Sequence, residues 1–260
     1  MTKFQIGAQM YSVRDHTTTA EGLLNALKTV KAIGYNTCQL SGQNREIPPE
    51  QIADFLAETG VSCCATHVSF DMMENEFDKL VRTHKLWKCD YPGIGGLPEK
   101  YRKAGSAGYI EFAKLASGVA EKFLDHGMHF IYHNHSFELE RFMDVGKTGL
   151  DLMMEHSSGA LQFELDLFWV QAGGANPVDW VRKVAGRMDV VHFKEMNGSH
   201  NPPLMTPIGV GNMDWPAIFA ACDETGVKYG LIEQDNAVDS DSFKCMEISY
   251  KNLVALGARF

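Results

Sequence analysis

Two rhythms of apolar and polar positions alternate along this chain. Short runs rich in β-branched and aromatic residues read as strands. Between them, apolar residues recur at spacings of three and four, as on a helix with one buried face. "FQIGAQMY" (4–11) is the first such strand. Leu23, Leu27 and Val30 follow at helical spacing behind a capping box of Thr18 and Glu21, and Gly34 stops the helix. "TCQLSG" (37–42) precedes "PPEQIADFLAETG" (48–60), which opens on Pro and closes on Gly as helices do. "SCCATHVSF" (62–70) leads into the helical "ENEFDKLVRTHKLW" (74–87). "CDYPGIGG" (89–96), a weaker strand, leads into a long helix marked by Phe112, Leu115, Val119 and Phe123.

The second half keeps the alternation. "HFIYHNHSFELE" (129–140) is followed by "GLDLMMEHSS" (149–158), and "ALQFELD" (160–166) by "NPVDWVRKVAG" (176–186). "DVVHFKEM" (189–196) reaches "DWPAIFAACDETG" (214–226) through an irregular loop. "YGLIEQD" (229–235) comes before a last helix carrying Phe243, Met246, Tyr250 and Leu253. Eight strand–helix units with no linker between them predict a single-domain (β/α)8 TIM barrel over residues 1–260. No Gly-x-Gly-x-x-Gly follows a strand and no P-loop motif occurs, so dinucleotide and nucleotide readings lose support.

Active sites of such barrels gather where the strands finish. Strand five ends in His133, His135 and Glu138, strand six in Glu164 and Asp166, strand seven in His192, Lys194 and Glu195, and strand eight in Glu233 and Asp235. His67 closes strand three. Alternation along a strand puts His133 with His135, Glu164 with Asp166, and His192 with Lys194 on common faces. Carboxylates at one rim raise one another's pKa and resist burial unless a cation absorbs the repulsion. One divalent metal held by Glu138, Asp166, His192 and Glu233 is the economical solution, with His135 as the alternative to Glu138. Three carboxylates and one imidazole suit Mn²⁺, Mg²⁺ or Co²⁺, with Zn²⁺ admissible. Trp169 is a stacking platform for a sugar ring or a packing residue. Glu195, on the face opposite His192, is expected to contact the helix layer. His16, His84, His126, His156 and His200 are expected at the surface.

Composition narrows the partners. The formal charge is −9, with no run of Lys and Arg above that background, which argues against nucleic acid and anionic membranes as partners. The opening residues carry no apolar signal segment, and no apolar run is long enough to span a bilayer. Six cysteines without a C-x-x-C pair fit buried thiols in a reducing compartment. A cytoplasmic protein follows, and a homo-oligomer stays open.

The segments "AQMYSVRD", "YHNHSFEL", "FELDLFWVQAGG", "VVHFKEM", "PIGVGNMDW" and "LIEQD" together resemble the sugar phosphate isomerase/epimerase family of xylose isomerase-like TIM barrels, over nearly the whole chain. The resemblance implies a divalent metal on the same four positions: Glu138, Asp166, His192 and Glu233. It also implies a small carbohydrate substrate and proton abstraction next to a carbonyl. Glu138 and Glu233 are then the candidate bases and Lys194 the candidate donor to the substrate. Tyr11, His67, His133, His135 and Trp169 would bind its hydroxyls and ring. Gln39 departs from the pattern, standing where an acid is common in relatives. The same chemistry serves a dehydratase or lyase of an inosose or 3-keto-glycoside. An endonuclease IV-like metal-dependent hydrolase is the rival class.

Overall fold

The computed structural model describes residues 1–237 and 241–260. Its eight barrel strands are β1 (Gln5–Gln9), β2 (Thr37–Leu40), β3 (Ser62–His67), β4 (Tyr91–Ile94), β5 (Ile131–His133), β6 (Gln162–Glu164), β7 (Val190–Phe193) and β8 (Tyr229–Ile232). All pair in parallel, in the order β6-β5-β4-β3-β2-β1-β8-β7. A parallel bridge between Asp166 and His192 joins the two outer strands, supported by the His192 amide donating to the Leu165 carbonyl at 2.9 Å. The ring is therefore a (β/α)8 barrel, and two prospective site residues make its last seam.

The principal helices are α1 (Ala20–Ile33), α2 (Pro49–Thr59), α3 (Phe77–Trp87), α4 (Gly105–Leu124), α5 (Gly149–His156), α6 (Pro177–Lys183), α7 (Trp215–Thr225) and α8 (Ser242–Ala255). Most of the helix starts and stops follow the local chemistry. Asn176 and Asp214 cap α6 and α7 with their side-chain oxygens, Pro stands in the first turn of both, and Gly60 ends α2 in the left-handed conformation. One boundary differs from expectation. Thr19, not Thr18, caps α1, because its hydroxyl is the one that receives the Gly22 amide, at 3.0 Å. No helix among the described residues is long and apolar enough to cross a membrane.

Two apolar clusters divide the interior. The larger lies between strands and helices and holds the big aromatics, Phe4, Phe112, Phe123 and Phe193 among them. The smaller joins Cys64, Tyr91, Ile131, Val190 and Leu231 from five strands. Ile131, Val190 and Leu231 precede His133, His192 and Glu233 by two residues each and so share their face. The lower half of the barrel is thus plugged with hydrocarbon, and its upper half is left to polar groups. Backbone approach is close on the opposite face of the sheet, where β8 lies beside Phe193 of β7. A Cβ on Gly230 would meet the Phe193 ring at 2.4 Å, so only glycine fits.

Candidate active site

The polar half of the barrel is built in two tiers. In the first, the Gln39 amide of β2 donates to Glu164 Oε1 at 2.8 Å, while its oxygen accepts from Gln9 at 2.5 Å and lies 2.6 Å from His192 Nε2. Glu164 Oε2 is 2.5 Å from His67 Nε2. In the second tier, Lys194 Nζ lies 2.9 Å from Asp166 Oδ2, 2.9 Å from Glu233 Oε2 and 3.1 Å from Asp235. His192 joins the tiers, because its Nδ1 is 2.9 Å from Glu233 Oε2. His133 stands beside both, 3.6 Å from Glu164 and 3.8 Å from Asp166.

Burial and charge set the protonation. Burial works against charge on His192, but the Glu164 and Glu233 carboxylates outweigh it and raise the imidazole to about 10. Burial also opposes charge on Glu233, yet Lys194 and then His192 hold its carboxyl well below the usual range. Glu164 is held low in the same way, chiefly by His192 and His67. Asp166 goes the other way: burial lifts it to about 6 against the pull of Lys194. His133 is pushed down by burial and by the neighbouring His192, so it is a neutral imidazole. Four carboxyls (Glu164, Asp166, Glu233 and Asp235) thus face two firm cations, Lys194 and His192.

That imbalance bears on a metal. Donor atoms of His133, Asp166, His192 and Glu233 lie within 4.8 Å of one another, as do those of His67, His133, Glu164 and His192. His133 is neutral, and its buried Nδ1 makes no hydrogen bond. A buried imidazole nitrogen without a partner, flanked by carboxylates in excess, fits a divalent cation. The first group is the better cage. It brings two carboxylates, Asp166 and Glu233, where the second brings Glu164 alone.

The expectation for Glu138 is overturned by its surroundings. Its carboxyl accepts from the Tyr132 hydroxyl at 2.7 Å and from the His135 amide at 2.8 Å, within the loop after β5, and it belongs to neither group. Burial raises it to about 8, and the Tyr132 bond only partly counters this. It braces the turn that follows β5, and the strand-five side chain grouped with Asp166 is His133. His135 is no substitute. Its ring centroid is 5.1 Å from that of His133, and it too lies outside both groups.

The remaining candidates fall around one opening. Tyr11, His67, His133, His135, Lys194 and Glu233 all line a cleft of about 520 Å³. Trp169 stands just outside this lining, its ring centroid 5.6 Å from Lys194 Nζ and 5.5 Å from the His135 ring. Glu195 does reach the helix layer. It accepts from the Trp215 indole at 2.6 Å and from the amides of Gly209 and Met213. His84 is not at the surface. It is fully buried, with Nε2 2.7 Å from Thr66 Oγ1 and Nδ1 2.8 Å from the Leu80 carbonyl. A polar pair below α3 accounts for it, and helical position alone hid that.

Sequence reasoning passed over Glu164, Gln39 and Gln9 as functional residues. The signal was present. Glu164 shares a face with Asp166, and Gln39, as an amide, can give one hydrogen bond to a carboxylate and accept others at its oxygen, which an ionised acid could not do.

No family model and no curated protein sequence matches this chain. Solved structures do. A sugar phosphate isomerase/epimerase from Parabacteroides distasonis superposes with a TM-score of 0.80 at 19% identity, covering 98% of this chain and 95% of that one. An L-ribulose 3-epimerase gives 0.68 at 16% identity, covering 98% and 94%. A family 2 AP endonuclease from Brucella melitensis gives 0.66 at 13% identity, covering 95% and 97%. The fold is that of the sugar phosphate isomerase/epimerase and xylose isomerase-like barrels. It hosts more than one chemistry, so the reaction has to be argued from the site.

Proposed function

We propose that this protein is a divalent-metal-dependent isomerase or epimerase of a keto-sugar or sugar derivative. The observation that carries the reading is the cage of His133, Asp166, His192 and Glu233 at the finishing ends of β5 to β8, opening into the 520 Å³ cleft. With two imidazoles in the set, Mn²⁺, Co²⁺ and Zn²⁺ suit it better than Mg²⁺. A divalent ion held there supplies Lewis-acid polarisation of a carbonyl, easing ionisation of the neighbouring C–H.

The protein's own groups divide the proton work. Glu233 faces the cleft, and Lys194 and His192 keep it ionised, so it is the base that removes the proton from carbon. Its second oxygen takes part, since Oε2 is already engaged by Lys194 and His192. His67, also facing the cleft and held by Glu164 at 2.5 Å, returns a proton at its ring nitrogen edge. Lys194 donates toward the substrate oxygen on which charge grows. If the return is to the same carbon from the other side, the sugar is epimerised, and if it is to the adjacent carbon, the sugar is isomerised. Loss of a β-substituent instead would make the enzyme a lyase.

Keto-sugars incubated with the enzyme and Mn²⁺ in D₂O are expected to exchange one carbon-bound proton, read by NMR. Glu233→Gln is expected to lose this exchange by at least about a hundredfold, with an unchanged circular dichroism spectrum. An active, folded variant would sink the assignment. The hydrolase reading calls for two or more ions per chain, whereas the shared ligands predict one, which metal analysis of purified protein decides.

A further inference from the structure

The cleft does not end at the cage. A second cavity, of about 590 Å³, adjoins it through Val68, Gly95 and His135, which line both. Either volume alone falls in the range that holds a small organic ligand. Together they exceed what a single monosaccharide needs. The sequence places two glycines at this junction. β4 ends on Ile94, and the next two residues are Gly95 and Gly96. A Cβ on Gly96 would come within 3.1 Å of the His135 ring, and Gly96 has φ +151°, where side chains are strained.

The second cavity has the walls of a ring-binding site. Its floor is apolar, with Phe70, Ile94 and Leu97. One side is a fixed stack: the His135 ring lies parallel to Phe137, 5.4 Å away, and the Arg102 guanidinium sits 3.9 Å over the same Phe137 ring. The rim is charged and exposed, with Asp71, Glu74, Glu99 and Lys100 able to meet hydroxyls. An apolar floor under a polar rim suits a sugar or aryl ring, which has apolar faces and a polar edge.

We propose that the substrate is a two-part molecule, a sugar carrying a second ring as a glycosidic or ether substituent, with the reacting sugar over the cage and the second ring in the cavity beyond Gly95. This rests on the reading of the cage as the reaction centre. A third cavity, of about 400 Å³, also touches the cleft, through Gly42, Arg45, His67 and Val68. Its junction with the cleft carries Arg45 and His67 beside Gly42, and it has no stacked ring on its wall like Phe137; it serves as the control.

Binding tests the proposal independently of turnover. Calorimetry with the Mn²⁺-loaded enzyme compares phenyl β-D-glucopyranoside with methyl β-D-glucopyranoside, which share the sugar and differ in the second ring. The phenyl compound is expected to bind at least about tenfold tighter. Glu74→Trp, from an exposed position on the cavity wall, is expected to bring the two within about threefold by occupying the space. Lys79→Trp, in the third cavity, should leave the ratio unchanged. Equal affinities in the native enzyme, no binding of the phenyl compound at millimolar concentration, or loss of the preference through Lys79→Trp in place of Glu74→Trp each overturn the proposal. Absence of proton exchange on any keto-sugar, with the phenyl preference intact, removes the proposed reaction and leaves the two-part ligand standing.

Discussion

Glu138 and Glu233 are the same side chain in two settings, and their neighbours set them apart. Glu233 keeps its charge because Lys194 and His192 lie against it, whereas Glu138 is buried with only neutral donors and rises to about 8. A carboxyl raised in the folded state stabilises the fold fully below its unfolded value, 4.5, and that contribution is lost as pH rises through 8. Glu138→Gln is an isostere of the neutral form. It is expected to keep activity within a few-fold and to flatten the fall in urea midpoint between pH 5 and 8, which equilibrium denaturation at several pH values reads. Glu138→Ala strands the Tyr132 hydroxyl and the His135 amide, and should cost about 2–4 kcal/mol. A second consequence follows from His192. Raised to about 10, it holds a proton at neutral pH that coordination must expel. Mn²⁺ affinity is therefore expected to climb between pH 6 and 8, with close to one proton released per ion. Calorimetry in buffers of different ionisation enthalpy measures this, and a pH-independent affinity would refute it.

At the scale of elements, the barrel was legible because each strand and helix announces itself locally. The caps at Asn176 and Asp214, the proline starts and the closing glycines are short-range events, and they sit where the pattern puts them. The loop between β7 and α7 is different. A short antiparallel ribbon, Glu195–Asn197 with Leu204–Thr206, was not legible, being only three residues a side. Its anchor is Glu195, whose buried carboxylate ties the Gly209 and Met213 amides and the Trp215 indole to the end of β7. Glu195→Ala is expected to cost about 3 kcal/mol, because four donors, the Met196 amide among them, lose their acceptor together. Chemical denaturation measures it, and a loss under 1 kcal/mol would show that the loop is held by other contacts.

For the molecule as a whole, the cage closes the barrel. Asp166 and His192 form the bridge between β6 and β7, so a ligand binding both also fastens the seam. Mn²⁺ at a hundred times its dissociation constant should stabilise the folded chain by about 2.7 kcal/mol. At about 2–4 °C per kcal/mol for a chain near this size, the midpoint should rise by about 5–10 °C. Differential scanning calorimetry with and without Mn²⁺ reads this directly, and His133→Ala should reduce the gain. An unshifted midpoint would count against a cation at the seam.

The sequence by itself determined the eight-unit alternation, the rim at which polar groups collect, and three of the four side chains that the fold groups there, because these follow from periods of two and 3.6 and from charge that is costly to bury. For strand five it chose Glu138, with His135 as the alternative, and gave His133 to the substrate, whereas the structure groups His133 with Asp166. The three lie within six residues, and a turn of the chain after β5 settles which one faces Asp166. The Gln39–Glu164–His67 array and the passage at Gly95 were likewise out of reach. Each joins strands distant in sequence, and only closure of the barrel sets the distances on which hydrogen bonding, protonation and ligand space depend.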